Sequence, residues 1–184
     1  KWHDSRVLIE QIEADFFGTN CWVFSTSRNS ECFIVDPGIV LPNMKSRVDE
    51  YLRKHNLKPV AVVVTHGHLD HSFSVTPVAD GYGIPALIHA KDAPALGNPF
   101  HLMMRGGPME SMLAQFGNPT FSEPAKIETL TDRMELNLAG MKLVAEVAPG
   151  LVARTAVTLQ RTQHDGIDGG RYVAAQRGRR SGRG

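Results

Sequence analysis

The run Thr65-His66-Gly67-His68-Leu69-Asp70-His71 places three of the chain's eight histidines and one carboxylate within six residues. Imidazole and carboxylate are preferred ligands of zinc and similar divalent metals. His66 and His68 are two residues apart, and on an extended segment leaving a strand that spacing turns both rings to one side, with Gly67 letting the backbone bend. Asp70 and His71 follow where the chain turns into a helix whose N-terminal end faces the same cavity. Divided as His66 with His68 and Asp70 with His71, the four make half of a two-metal site. Two metals about 3.5–4 Å apart share a hydroxide nucleophile and polarise a scissile carbonyl. The competing reading is a solvated, histidine-rich loop. Packing explains one such histidine well, and three at these spacings beside an aspartate poorly.

The elements around the run must hold it. Pro59–Thr65 is a continuous, β-branched stretch of the kind buried on both faces of a sheet, so layers are expected on both sides. Before it, Val7–Ile12, Asn20–Ser25 and Glu31–Asp36 read as strands, the last two as a hairpin, and Asn43 opens a helix with Met44, Val48, Tyr51 and Leu52 on one stripe. After it, Phe73–Ala79 reads as a short helix closed by Gly81 and Ile84–His89 as a strand. Residues 92–123 read as a loop with a helical piece around Met109–Phe116. Ile127–Leu130, Met134–Leu138 and Met141–Val147 read as further strands. Strands first, then helix and strand alternating, is an α/β layered domain with a mixed sheet. The remaining histidines offer less. His3 and His55 read as surface residues, His89 matches no ligand position, and His101 reads as an exposed loop residue. Phe100, Met103, Met104, Met109, Met112 and Phe116 read either as an acyl pocket or, from their near-helical spacing, as a helix packing on the core.

The pattern His66-x-His68-x-Asp70-His71 after a hydrophobic strand resembles the signature of the metallo-β-lactamase fold hydrolases. Asn20-Cys21-Trp22-Val23-Phe24 followed by Ile34-Val35-Asp36-Pro37-Gly38 resembles the opening hairpin of that family, and within it the glyoxalase II-like thioesterases. The resemblance covers about residues 7–150 and implies an αββα sandwich, of which this chain carries the first half. It implies that His66 and His68 bind a first metal and Asp70 and His71 a second, with Asp70 also orienting a bridging hydroxide. It implies zinc, one ion or two, with iron or manganese compatible with the same donors. The substrate it implies is a small-molecule thioester attacked by a metal-bound hydroxide. Asp36 resembles a family aspartate beside the site; equally, it shapes only the Asp36-Pro37-Gly38 turn.

The family completes its site from Pro-Gly-His, Gly-Asp and a final histidine. Here Pro149-Gly150 is followed by Leu151, and His164 and Asp165 stand in an unrelated context. Residues 1–150 carry 13 Lys and Arg against 17 Asp and Glu; residues 151–184 carry seven Arg, no Lys and two acids. The two regions therefore read as a metallo-β-lactamase-like part and a divergent Arg/Gly-rich tail, either frameshifted or disordered, with a strand-like start at Val152–Leu159. A basic tail can contact phosphates, but without aromatics other than Tyr172 it gives nucleic-acid stacking little support. The alternative to a hydrolase is accordingly a non-catalytic remnant with a partial metal site, weak in metal affinity and turnover. A half-fold is also expected to expose an apolar sheet face at Val62, Val64, Leu136 and Leu138 and to self-associate through it. No apolar run approaches the ~18 residues of a membrane span. With no apolar signal core at the N-terminus and only Cys21 and Cys32 as thiols, a reducing cytoplasm is the expected location.

Overall fold

The computed structural model describes residues 7–102, 107–148 and 154–159. Strands β1 (Leu8–Glu13), β2 (Asn20–Ser25) and β3 (Glu31–Val35) form an antiparallel meander. To its β3 edge are added β4 (Lys58–Val63), β5 (Ala86–His89) and β6 (Ile127–Leu130), all parallel, giving a mixed sheet of order β1-β2-β3-β4-β5-β6. Parallel neighbours need crossovers. Helix α1 (Lys45–His55) lies between β3 and β4. Helices α2 (Leu69–Ser72) and α3 (Val75–Tyr82) lie between β4 and β5. The longer β5–β6 connection holds α4 (Pro94–Gly97), a 3-10 turn at Pro99–His101 and α5 (Pro108–Gln115). A second, antiparallel sheet is built from β7 (Met134–Leu138), β8 (Met141–Ala148) and β9 (Arg154–Leu159).

Strand β4 is buried on both faces, as its composition predicts. Val62 and Val64 face α1 and α3 in a core with Val48, Leu52, Val75 and Val78. Ala61 and Val63 face the second sheet, in a core with Phe33, Leu87, Leu136, Leu143 and Ala145. The described layers are thus helix, sheet and sheet.

This corrects the expected exposed sheet face. Val62 and Val64 are buried under α1 and α3, and Leu136 is buried and Leu138 half-buried in the core between the two sheets. The outward positions of β7 and β8 instead carry exposed Glu135, Asn137, Lys142 and Glu146, the period-two alternation of a sheet with one solvated side. Val62, Val64 and Leu136 therefore form no exposed apolar face.

Two helix ends also differ from expectation. Helix α3 runs past Gly81 and closes at Gly83, whose φ of 67° suits glycine. Gly81 serves packing: a Cβ there would lie 2.4 Å from Lys45 Cε. The N-cap of α1 is Met44 rather than the expected Asn43, which stands one residue earlier and accepts the Lys45 N–H on its Oδ1 at 3.0 Å.

Candidate metal centre

Strand β4 ends at Val63, and the chain leaves it through Val64 and Thr65 at the carboxyl edge of the parallel strands, where open α/β sheets hold their sites. His66 and His68 lie on this extended exit, and His68 is the N-cap of α2 with ψ of 143°. Asp70 and His71 fall in the first turn of α2. The three rings meet: the His66 centroid lies 4.8 Å from that of His68 and 4.1 Å from that of His71. His71 Nε2 lies 3.4 Å from Asp70 Oδ2. The four residues singled out from the sequence are therefore neighbours.

Asp36 ties the cluster together. Its Oδ1 accepts from the Thr65 N–H at 2.8 Å. Its Oδ2 accepts from the Thr65 hydroxyl at 2.5 Å and from His71 Nδ1 at 2.9 Å. Of the two readings of Asp36, the structure favours the one beside the site. A carboxylate only accepts, so His71 donates to Asp36 from Nδ1. The Thr65 hydroxyl has spent its hydrogen on Asp36. At 3.1 Å it therefore accepts from His66 Nδ1, so in the neutral His66 ring the lone pair is on Nε2. Burial pushes the His66 pKa down to about 4; the nearby His71 and His68 add to this, and Asp36 and Asp70 oppose it. The ring is neutral near pH 7, the form a metal requires.

Close backbone packing holds the exit segment. A Cβ on Gly38 would lie 2.3 Å from the Asp70 carbonyl oxygen, and one on Gly67 would lie 2.8 Å from Leu102 Cδ1 and 3.0 Å from the Asp92 oxygen. The buried Asp92 accepts the Gly67 N–H at 3.0 Å. The Ser74 hydroxyl accepts the Met44 N–H and donates to Gly38 O, fastening α1 and α3 to the Asp36-Pro37-Gly38 turn. Thr19, fully buried in the β1–β2 turn, donates its hydroxyl to Asp70 Oδ2 at 3.0 Å. Beneath α2, Leu69 and Phe73 pack with Ile39 and Leu113, and Phe100, Met112 and Phe116 close around them. For these three of the Met/Phe set, packing is the observed role.

Thr19, Thr65 and Asp92 were not assigned a role by the sequence pattern. Their partners lie 51, 29 and 25 residues away, so no local spacing marks them. His89 is half-buried, and its Nδ1 accepts from the Lys91 N–H at 3.2 Å. His101 is exposed, and His55 packs its ring 4.4 Å from Tyr51. His3, Met103, Met104, Leu151, His164 and Asp165 lie outside the described residues.

The donor set suits a divalent metal in its chemistry. His71 Nε2 and Asp70 Oδ2 lie 3.4 Å apart, and imidazole nitrogen and carboxylate oxygen are both ligand types for such an ion. The count is short of a closed site. Among the described residues, no group of three or more His, Cys, Asp or Glu side chains is arranged to hold an ion by itself.

Residues 14–169 match a family model described as the Metallo-beta-lactamase superfamily, which extends past Gly150. An uncharacterized protein of Mycobacterium tuberculosis is 31% identical over 162 residues, covering 86% of this chain and 69% of the relative. A hydroxyacylglutathione hydrolase of Pseudoalteromonas translucida is 36% identical over 69 residues, or 38% of this chain and 24% of the relative. Among solved structures, the BLEG-1 B3 metallo-beta-lactamase superposes with a TM-score of 0.61 at 22% identity, covering 83% of this chain and 66% of that one. MEM-A1, a subclass B3 enzyme from a soil metagenome library, superposes with a TM-score of 0.62 at 14% identity, covering 91% and 58%. The chain spans less than two thirds of either solved structure, and at these identities the likeness concerns the fold.

Proposed function

Since the chain belongs to the metallo-beta-lactamase superfamily, we propose that it is a metal-dependent hydrolase acting on thioesters, of glyoxalase II type. The observation that carries the metal reading is that His66 and His71 each engage Nδ1, with Thr65 and Asp36 respectively, while His71 Nε2 lies 3.4 Å from Asp70 Oδ2. His66 and His68 would hold one ion, and Asp70 and His71 a second, with further ligands supplied from outside the described residues. Bound there, a divalent ion would supply Lewis acidity, lowering the pKa of water and polarising a carbonyl. The similarity to a hydroxyacylglutathione hydrolase over 69 residues supports a thioester as the substrate class.

This chain's own residues have separate tasks in that reaction. Asp36 keeps the His71 proton on Nδ1, and through Thr65 keeps the His66 proton on Nδ1. Fixed tautomers and ring directions spare the centre reorganisation during the reaction. The apolar cluster under α2 holds Asp70 and His71 on a short helix anchored by Leu69 and Phe73.

A second reading, a remnant that binds metal without turnover, is favoured by the absence of a three-donor group among the described residues. The test offers the zinc-loaded chain a glutathione thioester, an oxygen ester and a β-lactam. Thioester cleavage that disappears in Asp70→Ala is expected. Bound zinc with no thioester cleavage would leave the remnant, and preferential β-lactam cleavage would replace the substrate class.

A further inference from the structure

Thr19 lies outside the histidine run, on the turn between β1 and β2. Its backbone carbonyl accepts the Ala14 N–H at 3.0 Å, closing the turn, and Asp15 N–H bonds Ile39 O at 2.9 Å. Phe16, beside it, packs its ring 4.7 Å from Phe116. The turn is thereby fixed to the body of the domain, and Thr19 is fully buried. Its only hydroxyl hydrogen goes to Asp70 Oδ2 at 3.0 Å, the same oxygen that lies 3.4 Å from His71 Nε2. A carboxylate on a four-residue helix has freedom to rotate about its side-chain bonds. A donor to a charged oxygen on a rigid, buried turn removes that freedom.

We propose that Thr19 is a positioning residue for the metal centre, whose hydroxyl holds Asp70 Oδ2 beside His71 Nε2 as a ready pair of ligands. The proposal rests on the reading of Asp70 as a metal ligand. Outer hydrogen-bond partners of ligating groups typically account for 10–100-fold in metal affinity, and Thr19 is expected to fall in that range. Thr19 is fully buried, and valine keeps its branched shape while replacing the hydroxyl with a methyl.

The test uses the full chain, stripped of metal and titrated with Co2+ against a chelator, with the visible d–d absorption recorded. Thr19→Val is expected to weaken Co2+ binding about 10–100-fold and to change the d–d band. Its metal-free unfolding transition should stay near that of the parent, and Thr19→Ser should restore both affinity and spectrum. Thr19→Ala carries the same expectation should valine not fold. If Asp70→Ala loses Co2+ while Thr19→Val and Thr19→Ala match the parent in affinity and spectrum, the positioning role is overturned and the metal reading stands. If Asp70→Ala binds Co2+ as the parent does, or the parent binds none, the metal reading of Asp70 falls and the Thr19 role with it.

Discussion

Asp36 accepts three hydrogen bonds, two from Thr65 and one from His71, and is only 5% exposed. Asparagine matches its size but turns one acceptor into a donor, which must then face the Thr65 or His71 proton. Asp36→Asn is therefore expected to lower metal affinity about 10–100-fold. A buried donor left unsatisfied costs about 1–3 kcal/mol of stability. Chelator competition and urea unfolding measure the two effects; an unchanged affinity would return Asp36 to a turn-shaping role. His66 gives a pH signature in the metal-free chain. Its pKa is lowered from 6.5 to about 4 on folding, so between those values the unfolded chain binds a proton that the folded chain does not. Stability from this residue is intact above pH 6.5 and falls as the pH drops toward 4. Imidazole nitrogen shifts followed by NMR should show His66 neutral at pH 5; titration near 6.5 would contradict the buried, Thr65-bonded ring. The ligand candidates themselves were legible in the sequence, because their types and spacing are local. Thr19 and Asp92 were not, because their hydrogen bonds cross 51 and 25 residues.

Helix α2 is four residues long and too short to be stable alone, so it depends on its neighbours. Its carbonyl at Asp70 touches the turn at Gly38, where any Cβ would lie 2.3 Å from that oxygen. Gly38→Ala must displace either the turn or the helix, both of which carry site residues. The expected cost is about 1–3 kcal/mol, as for overpacking elsewhere, together with weakened metal binding. Chemical denaturation and Co2+ titration read both, and an alanine variant unchanged in both would mean that the turn and α2 are not so closely apposed. The same contact explains why Asp36-Pro37-Gly38 reads as a turn signal in the sequence while serving the site. Strand β4 was legible from its β-branched run, and both its covering layers followed from it. The end of α3 was not, because Gly81 marks a close approach by Lys45 and Gly83 is the actual stop.

The whole molecule is joined by the core between its two sheets, where Leu143 of β8 is 2% exposed among Phe33, Val63 and Leu87. Leu143→Ala is expected to cost about 2–5 kcal/mol in urea unfolding, whereas Lys142→Ala, on the solvated face, should stay within about 0.5 kcal/mol. Equal, small effects would mean that the second sheet does not cover the first. The layered α/β class was legible in the order of strands and helices. The expectation of a bare sheet face failed because α1 and α3 cover Val62 and Val64, and because Met134–Leu138 and Met141–Val147 alternate apolar inward and polar outward over the other face. All these layers converge on the carboxyl end of β4, and the central claim is that a divalent metal binds there. The most direct measurement is a crystal structure of the zinc-loaded chain with anomalous scattering collected at the zinc edge. The expected result is zinc about 2.0–2.1 Å from imidazole nitrogens of His66 and His68, with any second ion against Asp70 and His71. Zinc bound elsewhere, or none while His66 and His71 keep their bonds to Thr65 and Asp36, would contradict it.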